Sequence, residues 1–78
     1  MAWLVRWDGR VEELRPSTGP HLSLEQLQTA VEGYIEGVRV KGGWIFCNED
    51  GLREQLPQNL VYPRFVGNIV LCQDGEVD

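Results

Sequence analysis

The sequence predicts an α+β fold: a small antiparallel sheet of about five strands, in the order β-β-α-β-β-β, with one helix over about residues 23–32 packed on one face. Three observations carry that prediction. A well-marked helix start stands at Ser23. Stretches of alternating apolar and polar residues on either side of it are each broken by a glycine-containing turn, Asp8-Gly9 and Gly42-Gly43. A short apolar run, Asn68-Ile69-Val70-Leu71-Cys72, follows near the end and suits a buried last strand.

In the first hairpin, Trp3-Leu4-Val5-Arg6-Trp7 and Arg10-Val11-Glu12-Glu13-Leu14 flank Asp8-Gly9, which places strands at about 2–7 and 10–15. Pro16-Ser17-Thr18-Gly19-Pro20-His21 then interrupts regular structure, because two prolines and a glycine cannot continue a strand ladder or a helix. Ser23 is the expected N-cap, Gln26 completes a capping box, and Leu22 with Leu27 forms a hydrophobic staple. Leu24, Leu27, Ala30 and Val31 share one face, and Gly33 is expected to take the left-handed conformation that stops the helix.

Two strands follow, at about 34–40 and 44–48, closed by Gly42-Gly43 as a two-residue turn. Leu52-Arg53-Glu54-Gln55-Leu56 has room for one helical turn before Pro57, and residues 59–65 are irregular. Residues 1–78 form one domain, since a chain of 78 residues is only just long enough for a single core, and the acidic segment 73–78 is expected to fray.

Composition narrows the function classes. Apolar residues make up 42% and charged residues 24%, as in globular domains and unlike disordered chains. A net charge of −5, with the seven basic residues spread along the chain, argues against nucleic acid as a partner. Six of the seven are Arg, the side chain suited to gripping carboxylates. No stretch approaches the roughly 20 apolar residues of a membrane span, and Met1-Ala2-Trp3-Leu4-Val5-Arg6 lacks the build of a signal peptide. The expectation is a cytoplasmic protein without membrane partners. Cys47 and Cys72 have no neighbouring cysteine or histidine and read as small buried hydrophobes, so no metal and no cofactor are expected. A core this small gains from self-association, which makes a homo-oligomer, a dimer, the expected state.

The register of the second hairpin carries the sharpest expectation about a site. With Gly42-Gly43 as the turn, Lys41 opposes Trp44, Val38 opposes Cys47, and Glu36 falls opposite Glu49. Opposed like charges destabilise a sheet and call for a shared proton, an Arg, a metal ion or a ligand. The alternative is two solvated glutamates at a strand end. His21 is the single histidine, so neither a catalytic triad nor a multi-histidine metal site can be assembled. Trp44 shares a face of the hairpin with Phe46, Arg39 and Lys41, and Trp44, Phe46 and Arg39 are candidates for an interface or for stacking on a planar ligand, against plain core filling.

With these residues in view, the middle and end of the chain resemble a phage- and plasmid-associated domain-of-unknown-function family. Its pattern is a Leu-Gln pair, Val-Gly-Gly-x-Ile-Glu, Asn-Glu-Glu-Gly, a Leu-Pro-x-Asn-like stretch and a closing apolar strand with glycine. The matching pieces are Leu27-Gln28, Val31-Glu32-Gly33-Tyr34-Ile35-Glu36, Asn48-Glu49-Asp50-Gly51, Leu56-Pro57-Gln58-Asn59 and Gly67-Asn68-Ile69-Val70-Leu71. Glu32 stands where the pattern has its first glycine, and Asp50 replaces its second glutamate. The resemblance implies a small accessory protein of a virus or mobile element, acting in the host cytoplasm. The motif falls on Glu36, Asn48, Glu49 and Asn59, with Gln28 nearby, as candidate partner-binding residues. Carboxylates and carboxamides of this kind can bind a host protein or a small polar ligand, or can tie the loop between Asn48 and Asn59 to the fold. The expected function is a non-enzymatic binding module. The alternatives are a metal-dependent hydrolase using Glu36 and Glu49, and an acidic mimic of nucleic acid that inhibits a host enzyme.

Overall fold

The computed structural model describes residues 1–75 of the chain. Its elements are β1 (Ala2–Val5), β2 (Val11–Leu14), α1 (Leu24–Val31), β3 (Ile35–Val40), β4 (Gly43–Asn48) and β5 (Ile69–Gln73). They form one antiparallel five-stranded sheet in the order β2-β1-β5-β4-β3, with α1 on one face, as the α+β reading requires. The last strand in sequence is therefore the central one. It joins two hairpins that are distant along the chain, which accounts for the apolar character of Ile69-Val70-Leu71-Cys72.

Because side chains alternate across a strand, the sheet has two distinct faces. Beneath α1 lie Ala2, Leu4, Phe46, Val70 and Cys72, packed against Leu22, Leu27, Ala30 and Val31 of the helix and its approach. On the other face Val5, Cys47 and Ile69 are covered by the segment 49–67, with Phe65 packed against them. Val31 and Ile69 are almost wholly buried, and each such side chain contributes about 1.5–3 kcal/mol relative to exposure.

The helix start is as expected. The hydroxyl of Ser23 accepts from the backbone N–H of Gln26, and the Gln26 side chain accepts from the backbone N–H of Ser23. Gln26 also donates to the carbonyl of Arg15 and accepts from the N–H of Ser17, so one cap residue pins the incoming loop. Leu24 points outward, however, and the buried face is Leu27, Ala30 and Val31. The stop also differs from expectation: Glu32, not Gly33, takes the left-handed conformation, with φ 63°. Gly33 serves a different need. A Cβ there would lie 2.6 Å from the Asn48 side-chain nitrogen, so the position is glycine because Asn48 approaches closely.

Both hairpins close differently from the two-residue turns expected. In the first, Val5 pairs with Val11, and the N–H of Arg6 bonds to the carbonyl of Arg10, leaving Trp7-Asp8-Gly9 as a three-residue loop. In the second the turn is Lys41-Gly42, and Val40 pairs with Gly43. The physical reason lies outside the hairpin. A Cβ at position 43 would stand 1.9 Å from the carbonyl oxygen of Cys72, so Gly43 is held in the ladder by close approach to β5, while Gly42, at φ 83°, supplies the positive φ of the turn. Glu36 consequently lies opposite Cys47, not opposite Glu49.

Residues 50–55 hold a single turn closed by an i→i−4 bond, from the N–H of Glu54 to the carbonyl of Asp50, and Gln55, at φ 58°, ends it. At the end of the chain Gln73 closes β5, and Asp74 donates its N–H to the carbonyl of Gly42. Of the tail expected to fray, residues 76–78 lie outside the described residues.

Candidate functional site

A helix leaves its last four carbonyls without intrahelical donors. In α1 those of Gln28 and Thr29 accept from the N–H groups of Gly33 and Glu32, the two crossed bonds of a Schellman closure. The next two are reached from the sheet. The side-chain nitrogen of Asn68 bonds to the carbonyl of Ala30, and that of Asn48 bonds to the carbonyl of Val31, each at 3.2 Å. The carboxamide oxygens are engaged as well, Asn48 accepting from the N–H of Asp50 and Asn68 from the N–H of Trp7. Two asparagines, ending β4 and preceding β5, thus fasten the helix terminus to the sheet.

Asn59 does the same for the long loop. Wholly buried, it donates to the carbonyls of Val5 and Gly67 and accepts from the N–H groups of Val61 and Tyr62. Those four bonds use the full capacity of a carboxamide. The polar atoms of Asn48 and Asn59 are therefore engaged within the fold, and Asn48 also lines two clefts. Gln28 lines a cleft of about 330 Å³ with Gly33, Tyr34, Asn48, Asp50 and Glu54.

Glu36 and Glu49 lie on the face away from the helix, in a cleft of about 220 Å³ that they share with Asn48, Cys47, Leu52, Arg64 and Phe65, so three of the expected site residues come together there. The backbone N–H of Glu49 bonds to the carbonyl of Tyr34, extending the hairpin by one pair. Among the described residues neither glutamate makes an ion pair, and neither does Arg64. Burial raises the pKa of the Cys47 thiol, and the Glu36 carboxylate adds to the effect.

Arg39, Trp44 and Phe46 do come together. The guanidinium of Arg39 lies 5.3 Å from the centre of the Trp44 ring, and Trp44 stacks on Phe46 with centroids 6.0 Å apart. Arg39 also donates to the carbonyl of Gly43 and pairs with Asp74. This stack adjoins the helix-side core, and Arg39 occupies the place over the Trp44 ring that a planar ligand would take.

One apolar surface is only partly covered. Trp3 pairs with Leu71, Leu71 with Ile45 and Ile45 with Val38, so these four side chains form a transverse row over β1, β5, β4 and β3 on the helix-free face. The 49–67 segment packs Phe65 on the neighbouring row and reaches this one only with its tip. Its tip places Val61 and Tyr62 beside Trp3, Val11 and Leu71 around an apolar cleft of about 300 Å³. A wider cleft of about 440 Å³ adjoins it, lined by Trp3, Val40, Ile45, Tyr62 and Leu71 among others. Trp3, Val38, Val40 and Tyr62 each keep 37% of their surface exposed, far more than core side chains of their type retain.

One family matches the chain, over residues 4–78, a span that takes in the helix and all or part of every strand. The chain belongs to the family described as domain of unknown function (DUF3846). No curated protein and no solved structure matches it. Among the described residues of this DUF3846 domain, no three or more His, Cys, Asp or Glu side chains gather where they could hold a metal ion. No helix among them is long and apolar enough to cross a membrane.

Sequence reasoning passed over Asn68 and the Trp3–Leu71–Ile45–Val38 row. A polar residue heading an otherwise apolar buried strand is the signal that marks Asn68. The row depends on which strands are neighbours, which no local pattern carries.

Proposed function

We propose that this domain is a non-enzymatic protein-binding module that docks a host protein on the helix-free face of its sheet, as an accessory protein of a phage or other mobile element. The observation that carries the reading is the apolar row of Trp3, Leu71, Ile45 and Val38, exposed at Trp3 and Val38 and half-buried between them, with Tyr62 at its border. Exposed apolar surface of this kind, rimmed by polar groups, is what interaction sites present, and aromatic side chains dominate their energetics. Glu36 and Glu49, without ion pairs on the same face, favour a partner whose rim is basic. The mobile-element origin is supported by the resemblance of the 24–72 stretch to phage- and plasmid-associated sequences.

A small polar ligand held by Asn48 and Asn59 is less favoured, because their polar atoms are bonded within the fold. The hydrolase reading expected Glu36 and Glu49 directly opposed; they stand diagonally in one cleft, and the reading is less favoured because no third His, Cys, Asp or Glu among the described residues joins them where a metal ion could be held. An acidic mimic of nucleic acid needs a continuous stripe of free carboxylates. Asp8, Glu12, Glu13, Asp50 and Asp74 are instead each paired with an arginine.

The test compares capture of host proteins by the native chain, by Trp3→Ala/Tyr62→Ala and by Arg15→Ala as a surface control. A partner retained by the native chain and the control, and lost by the double variant while its melting curve stays cooperative, supports the reading. A partner retained equally by all three overturns it.

A further inference from the structure

The sheet has two edges, and they are built differently. At one, β2 is four residues long and carries Glu12 and Glu13, the kind of short, charged strand that discourages pairing. At the other, β3 runs for six residues without proline or bulge, and every residue from Glu36 to Val40 is exposed. The ladder identifies which of its peptide groups are unpaired. The N–H of Glu49 bonds to the carbonyl of Tyr34, which marks a hydrogen-bonded pair, and in an antiparallel ladder such pairs alternate. Tyr34, Glu36, Val38 and Val40 therefore direct their peptide groups to β4. Ile35, Gly37 and Arg39 direct theirs outward.

We propose that the β3 edge is where a second copy of this chain pairs, antiparallel and centred on Val38, to make one continuous ten-stranded sheet. The charge order of the strand is self-complementary: Glu36 stands near its start and Lys41 just past its end, and neither makes an ion pair among the described residues. An antiparallel neighbour of the same sequence sets Glu36 opposite Val40 and Ile35 opposite Lys41, so each Glu36 lies one residue away from the other copy's Lys41, which follows the strand in the turn. Val38 then meets Val38 on the helix-free face, and the outward peptide groups of Gly37 and Arg39 meet those of Arg39 and Gly37. The two-fold axis is normal to the sheet, so both helices lie on one side, and the two apolar rows ending at Val38 join into one strip. This interface is isologous, as closed dimers require. It shares Val38 and Glu36 with the docking face proposed above, and it is tested on the isolated chain, with no host protein present, so that its failure is distinguishable from failure of that reading.

Sedimentation velocity over a micromolar to millimolar series, with amide hydrogen exchange on the same samples, tests it. The expected result is a monomer–dimer equilibrium, with exchange at Ile35, Gly37 and Arg39 slowing as concentration rises while Val38 stays protected throughout. Glu36→Lys and Lys41→Glu should each raise the dimer dissociation constant several-fold, and the double variant should recover most of that loss. Val38→Lys, which sets like charges opposite each other, should leave a monomer with native circular dichroism. A chain that stays monomeric to millimolar concentration overturns the proposal. So does a dimer indifferent to all four variants, or a β3 edge protected only when a foreign strand peptide is added.

Discussion

The side-chain nitrogen of Asn48, the last residue of β4, lies 3.2 Å from the carbonyl oxygen of Val31, the last residue of α1. With Asn68 on Ala30, it completes the hydrogen bonding of a helix only eight residues long, too short to persist without tertiary support. The polar end of the sheet is thereby read as scaffold, and the apolar helix-free face as the surface left for a partner.

Asn48→Ala should destabilise the domain by about 1–3 kcal/mol, the range for leaving buried polar groups unsatisfied. In a domain of this size each kcal/mol lowers the melting temperature by about 4–8 °C. Thermal unfolding followed by circular dichroism measures it, and Asn59→Ala should behave alike.

Gly33→Ala should be destabilising chiefly because its methyl displaces Asn48. The two positions are then coupled, so Gly33→Ala costs less in an Asn48→Ala background than alone. A double-mutant cycle by urea denaturation reads the coupling directly. Additive effects would mean that Gly33 is needed for another reason.

Glu32→Gly should stabilise the chain by about 0.5–1 kcal/mol, since a left-handed residue with a Cβ costs about 1–2 kcal/mol and the entropy of glycine offsets part of the gain. The midpoint of urea unfolding should rise without a change in slope.

The Arg39–Asp74 pair predicts a pH dependence. The hydrogen bond and charge of Arg39 lower the pKa of Asp74 below its ordinary 3.8. A carboxyl lowered in the folded state contributes stability that is fully present above its unfolded pKa and is lost as pH falls through the folded value. Native chain and Asp74→Asn should therefore differ in melting temperature at neutral pH and converge as pH falls below 3.8. The gap should be small and should shrink with added salt, because the pair is exposed.

Cys47 reports the register. Its thiol is buried and its Sγ lies 3.7 Å from the Glu36 carbonyl, with its pKa raised by burial first and by the Glu36 carboxylate second. Alkylation at mildly alkaline pH should be much slower in the folded chain than in urea, and Glu36→Gln should speed the folded-state reaction modestly. Had Glu36 faced Glu49, Glu36 would be only a diagonal neighbour of Cys47 and that substitution would have a weaker effect.

What could be read from the sequence followed from how local each cause is. Ser23, Gln26, Leu22 and Leu27 act within one helical turn, so the helix start was legible in full. Strand order β-β-α-β-β-β followed from alternation and turn residues. Register did not, because the choice between Lys41-Gly42 and Gly42-Gly43 is made by the carbonyl of Cys72, which sequence distance hides. Glu32 looked like a helix residue before a glycine stop. The demand of Asn48 for space at Gly33 moved the left-handed residue one position earlier. Asn48 and Asn59 stood out as polar residues in apolar surroundings, and that pattern is shared by ligand sites and by side chains that satisfy buried backbone. Only the positions of the carbonyls they meet separate the two.

The division of roles between the two ends of the molecule is tested most directly by chemical-shift mapping of the ¹⁵N-labelled chain during titration with the host protein it captures. The account predicts perturbations and line broadening at Trp3, Val38, Ile45, Tyr62 and Leu71, with Asn48, Asn59 and Asn68 side-chain amides unmoved. Perturbations confined to the Gln28–Asn48 cleft, with the Trp3 row unchanged, would contradict it.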